Sequence, residues 1–231
     1  MVAVGLSAQA LAHDVPAILT QINDHSRNII RIVSSRAIDA SAVKSQAQAI
    51  DSAADGVMEM IDFVQPMLRG KRASRQRAMI SEFVQNFYEL RGARLRSKNI
   101  HWHVEDRERR DFKIAYNTGR FIQVFDNLTT NSEYWIARRY RESKKGRIDV
   151  VISDPELIFW DNGPGVQSEY EETLFDLFVS GKPADEGNGL GLYITQQLLL
   201  RDNCSISMSP ERNTDGRLFK FVINFSGVRV K

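Results

Sequence analysis

The chain has 231 residues, enough for one large domain or two small ones with a sizeable core, and its 42% hydrophobic and 26% charged residues are those of an ordinary globular protein. A formal net charge of only +2 implies no strongly charged partner. The longest apolar stretches fall far short of the roughly 18 to 20 residues of a membrane helix, and no basic segment leads into an apolar signal core, so a cytoplasmic location is expected.

From Leu11 onward, Leu11, Val15, Ile18, Ile22, His25, Ile29 and Ile32 follow at alternating spacings of four and three, the seven-residue repeat of packed long helices. After a break around Ala37 to Ser41 the spacing returns in Val43, Ala47, Ile50, Ala54, Val57, Ile61, Val64 and Leu68. Two helices folding back on each other make a thin core, which predicts a hairpin that dimerises as a four-helix bundle. His25 falls on the seam, as a packed histidine, whereas His13 lies two residues from both Leu11 and Val15, off the seam and exposed. Small and basic residues from Gly70 to Ser74 interrupt the repeat, so the expected domains are 1–70 and 71–231.

The second part alternates helix and strand signals, the mark of an α/β sandwich. A helix is predicted near 75–97, then period-two apolar positions at Ile100, Trp102 and Val104, and again at Phe112 and Ile114. A helix near 117–140, strands near 148–153 and 156–160, a glycine-rich stretch, a helix near 189–201 and strands near 204–208 and 217–225 complete the chain. Phe219, Phe221, Ile223 and Phe225 alternate in the last strand, whose inner face should close the core. The single Cys204, in an alternating apolar run, reads as a buried thiol, and His101 and His103 read as surface positions on a strand. Basic runs such as Arg91 to Arg96 and Arg138 to Arg147 are interleaved with acids and read as solvated faces, not as a nucleic-acid surface.

Three elements carry chemistry. Asn127 and Asn131, four apart, share one helix face, either as a solvated pair or as amide ligands suited to Mg2+. Asp161-Asn-Gly-Pro-Gly165 directly follows an apolar strand, either as a terminating turn or as a carboxylate for an exocyclic amine beside glycines that admit a flat ring. Gly187-Asn-Gly-Leu-Gly191 precedes an apolar helix, where amides and the positive helix end suit phosphate, but it has neither the dinucleotide spacing nor the terminal lysine of a P-loop.

In this order, the elements resemble the GHKL superfamily of ATPases, which groups gyrase, the ninety-kilodalton heat-shock chaperones, histidine kinases and MutL-type mismatch-repair proteins. Asn127 and Asn131 look like the N box, and Asp161, Gly163 and Gly165 look like the first glycine box. Leu174 to Phe178 look like the F box, and Gly187 to Leu192, with Gly189, Leu190 and Gly191, look like the second glycine box. The resemblance implies an α+β chain: a two-helix hairpin followed by a Bergerat-type ATP-binding sandwich. It also implies that Asn131 holds Mg2+, that Asp161 binds the adenine amine, and that a lid spans about 166–188. Lys182 is either a phosphate contact or an exposed loop lysine. Tyr134 stands where the family often has Lys, with Arg138 one turn on.

Family members that hydrolyse ATP carry a Glu one turn before the Mg-binding Asn. Asn127 stands there instead and cannot take a proton, which favours transfer to a better-activated nucleophile. Leu11-Ala-His-Asp-Val-Pro16 resembles the H box of histidine kinases, with His13 as phosphoacceptor and Asp14 as its acid. The expected function is an autokinase that is homodimeric through the hairpin and passes phosphate to a response-regulator receiver domain. The alternatives are a slow ATPase switch and a non-catalytic scaffold. Pro16 comes earlier than the family's usual Pro, and Ala17 stands where the family often has a residue that supports dephosphorylation, so weak or no phosphatase activity is expected.

Overall fold

The computed structural model describes residues 2–35, 38–68, 75–106, 110–140, 146–183, 187 and 189–230, and at 2–15, 17 and 58–68 the backbone alone. Two compact units emerge: 1–72 with 175–190, and 73–174 with 191–231.

In the first unit, helices α1 (Val2–Val33) and α2 (Ala40–Leu68) pack on each other. Asp39 opens α2: its carboxylate accepts the backbone N–H groups of Ser41 and Ala42, and these bonds with the Ser41 hydroxyl hold it below the usual carboxylate range. On α1 the described part of the expected stripe turns inward, with Ile18 buried and Ile22, His25, Ile29 and Ile32 half-buried, while Leu11 and Val15 lie outside the described side chains. On α2 the expected Val43, Ile50 and Val57 are half-buried, but Ala47 and Ala54 are exposed, and Gln46, Ala53 and Gly56 join the inner face; Ile61, Val64 and Leu68 lie outside the described side chains. A hydrogen bond fixes that rotation: His25 Nδ1 lies 2.7 Å from Gln46 Oε1, so the seam carries a polar pair that an apolar pattern does not register.

The second unit is a two-layer α+β fold. A five-stranded sheet has the order β2 (Ile100–Asp106), β4 (Gly146–Ser153), β5 (Glu156–Asp161), β7 (Lys220–Asn224) and β6 (Ser205–Met208); the β2–β4 pair is parallel and the rest antiparallel. Helices α3 (Ile80–Ser97), α4 (Thr118–Arg139) and α5 (Gly191–Arg201) pack against it. Phe83, Phe87, Phe121 and Phe125 of α3 and α4 meet edge-on or tilted, and Phe125 reaches Phe159 of the sheet at 6.3 Å.

Two details depart from the expected elements. The helix near 75–97 begins only at Ile80, because β1 (Gln76–Met79) pairs antiparallel with β3 (Lys113–Tyr116). In β7 and its flanks, only Ile223 and Phe225 are fully buried, while Phe219 and Phe221 stay half-exposed. Cys204 is buried, and His101 and His103 are exposed on β2, as expected. Among the described residues, no helix is long and apolar enough to cross a membrane.

Candidate nucleotide site

In the second unit, α4 brings Asn127 and Asn131 to one face, both half-buried. Asn117 caps this helix by accepting the Arg120 N–H at 3.0 Å. Asn127 Nδ2 donates to the Gly191 carbonyl at 2.9 Å and to Thr195 Oγ1 at 3.2 Å, and Thr195, fully buried, donates to the same carbonyl at 2.8 Å. The first residue of α5 is thereby tied to α4. The ring of Tyr134, three residues beyond Asn131, carries the Arg138 guanidinium 5.1 Å from its centroid, a cation–π contact one turn along the same helix.

Asp161 ends β5 and turns into the glycine stretch. Its Oδ1 accepts the Gly163 N–H at 2.7 Å, and its Oδ2 accepts the Ser132 hydroxyl at 2.6 Å. Desolvation of the carboxyl raises its pKa above the ordinary value of 3.8, against the two hydrogen bonds and the Arg139 charge that lower it. A Cβ at Gly163 would lie 2.5 Å from Asp161 Oδ1 and 3.3 Å from Trp135 Cβ, so any side chain there displaces the carboxylate. Gly165 has φ +76°, and a Cβ would meet Asn213 Nδ2 at 2.8 Å and the Leu218 carbonyl at 2.9 Å. The loop from 162 to 166 is held along its length. Arg139 Nη1 donates to Gly163 O, Tyr140 to Asn162 O, Asn213 Nδ2 to Pro164 O, and Val166 N to Leu218 O. A turn that only reversed the chain would not need four anchors.

In the first unit, Phe178 adopts φ +62° and Gly189 φ +71°. A Cβ at Gly189 would fall on the Phe178 backbone, so the chain needs glycine at 189 where it passes Phe178. The Lys182 stem runs over Gly187, where a Cβ would lie 2.7 Å from Lys182 Cδ, and Leu190 is fully buried. His13 and Asp14 lie within the α1 backbone, and their side chains fall outside the described residues, as does Asn188.

The sequence reading missed Ser132, Thr195 and Arg139. Ser132 is a small polar residue directly after Asn131, and Thr195 stands one turn after Gly191, but their partners lie 29 and 68 residues away along the chain. Only the folded chain reveals their roles.

Comparison with known proteins places this site in a family. Residues 116–226 match the histidine kinase-, DNA gyrase B-, and HSP90-like ATPases. The hybrid signal transduction histidine kinase K of Dictyostelium discoideum is 24% identical over 202 residues, 78% of this chain and 16% of that protein. The sensor protein ChvG of Agrobacterium fabrum is 33% identical over 107 residues, 42% of this chain and 17% of that protein. The chain thus spans about a sixth of the length of either relative. Among solved structures, the histidine kinase ThkA in complex with the response regulator protein TrrA superposes with a TM-score of 0.53 at 18% identity, covering 95% of this chain and 63% of that one. Residues 116–226 match this ATPase family, and the chain shares its fold with the solved histidine kinase.

Proposed function

We propose that the chain is an ATP-dependent protein histidine kinase, which phosphorylates itself on His13 and passes the phosphoryl group to an aspartate of a response-regulator receiver domain. The observation that carries this reading is the Asp161 carboxylate, held by Ser132 and Gly163 on an ATPase-family domain. A desolvated carboxylate beside glycines that leave no room for a Cβ fits a flat base with an exocyclic amine.

In this reading Asp161 accepts the adenine amine, and Gly163 and Gly165 let backbone approach the ring. The stretch Gly187, Gly189, Leu190 and Gly191, leading into the 11-residue α5, offers amides to the phosphates, with Lys182 as their cation. Asn131 supplies a hard amide oxygen for Mg2+, which would neutralise phosphate charge. Asn127 holds no base, and its amide donors are engaged by Gly191 and Thr195, so water attack has no assistance there.

A ring nitrogen of His13 attacks the γ-phosphorus, the bond to the ADP oxygen breaks, and Asp14 orients the imidazole and takes its proton. Pro16 has no N–H for the Ala12 carbonyl, which loosens the helical ladder beside His13. The domains 1–70 and 71–231 divide the labour: the hairpin carries His13 and pairs into a homodimeric four-helix bundle in the cytoplasm, and the ATPase domain serves it. The receiver partner is supported by the response regulator bound to ThkA. The test is transfer. Labelled chain mixed with a purified receiver domain should lose its label to the receiver, and label that stays put or never forms would overturn the reading.

A further inference from the structure

The short hydrogen bond between Ser132 and Asp161 is not accounted for by ATP binding in general, because the carboxylate alone is the acceptor an adenine amine needs. Ser132 is 2% exposed, on the turn of α4 that carries Asn131, and its hydroxyl donates to Oδ2 at 2.6 Å. The other oxygen accepts the Gly163 N–H at 2.7 Å. Both oxygens are therefore anchored, one by a donor from the helix and one by a donor from the loop, and the two bonds resist rotation about the Cβ–Cγ bond. Each oxygen keeps one open lone pair, with a direction set by the bond already made.

We propose that Ser132 is a positioning residue for nucleobase selectivity: by fixing the Asp161 carboxylate as an aimed, acceptor-only group, it favours a 6-amino purine over a 6-oxo purine. The proposal rests on the reading of Asp161 as the base-binding residue. A 6-oxo group presents oxygen to oxygen and forms no hydrogen bond with the aimed carboxylate, so Ser132 brings it no gain. A 6-amino group gains a charge-assisted hydrogen bond only while the aim holds. Without Ser132, one oxygen loses its anchor and the carboxylate swings on the remaining Gly163 bond.

The experiment is calorimetric binding of ATP and ITP, which differ in the amine and oxo groups at position 6, to the full chain and to Ser132→Ala and Ser132→Thr. Wild type should prefer ATP. Ser132→Ala should weaken ATP about tenfold and leave ITP nearly unchanged, and Ser132→Thr, which keeps the hydroxyl, should retain the wild-type ratio. An unchanged ATP-to-ITP ratio in Ser132→Ala, or an equal loss for both nucleotides, would overturn the role of Ser132 while leaving the ATP site standing. A wild-type chain that binds neither nucleotide would overturn the site reading itself, and the inference with it.

Discussion

Asn127 and Gly191 are joined by a hydrogen bond of 2.9 Å, from the side-chain amide of one to the backbone carbonyl of the other, across 64 residues of sequence. The bond couples α4, which carries the Asn pair, to the first residue of α5. It also changes the meaning of the Asn at the position where hydrolytic relatives carry Glu, since the amide is needed as a donor.

Asn127→Glu should therefore fail to create an efficient ATPase. The carboxylate would face the Gly191 carbonyl with no proton to give, costing about 1 kcal/mol for the lost hydrogen bond and more for the repulsion. Urea denaturation should register the loss, and steady-state phosphate release should stay at the wild-type level. A large gain in hydrolysis would mean that the amide bond to Gly191 does not define this site.

Asp161→Asn should separate binding from stability. Because burial raises the folded pKa of Asp161 above its unfolded value, the carboxyl favours folding when protonated, and this contribution is lost as pH rises from the unfolded value through the folded one. At pH 7 burial makes this carboxyl a burden that Asn relieves. The melting temperature of the variant should equal or exceed that of wild type at pH 7, with the advantage shrinking as pH falls through the acid range, while ATP binding is lost.

Glu133, 4% exposed, accepts from Arg94 at 2.7 Å and from Lys98 at 2.7 Å, tying α3 to α4, and both cations are about half-exposed. The cost of breaking this cluster depends on which side is removed. Glu133→Gln leaves two cations that water can solvate and should cost under about 1 kcal/mol, whereas Arg94→Ala with Lys98→Ala strands a buried carboxylate and should cost about 3 kcal/mol. Denaturation of the two variants side by side measures the difference, and equal losses would argue against the asymmetry.

Cys204 is 2% exposed, and burial pushes its thiol up to about 11. The native chain should resist an aromatic disulfide reagent at pH 8 for hours and react at once in denaturant. Fast reaction without denaturant would contradict the packing around β6.

Much of this architecture was legible in the sequence, for reasons that particular residues make plain. α4 and α5 were readable because apolar spacing and flanking polar residues mark helices locally, and the order of the N box, glycine boxes and F box carried the family. β1 was not readable. It has four residues, of which only Ala78 and Met79 are half-buried, and it exists because β3, more than 30 residues on, offers a partner. On the α2 seam only the alanines at 47 and 54 were misjudged, because alanine is indifferent to burial and Gln46 faces inward to meet His25. Ser132, Thr195 and Arg139 were invisible because a hydrogen bond between distant residues leaves no periodic trace.

The central claim is the phosphorylation of His13, and incubation with γ-labelled ATP and Mg2+ tests it most directly. Wild type should acquire label that is lost in acid and stable in base, and His13→Gln should acquire none. ATP bound with no such label, or label that persists undiminished in His13→Gln, would contradict the account.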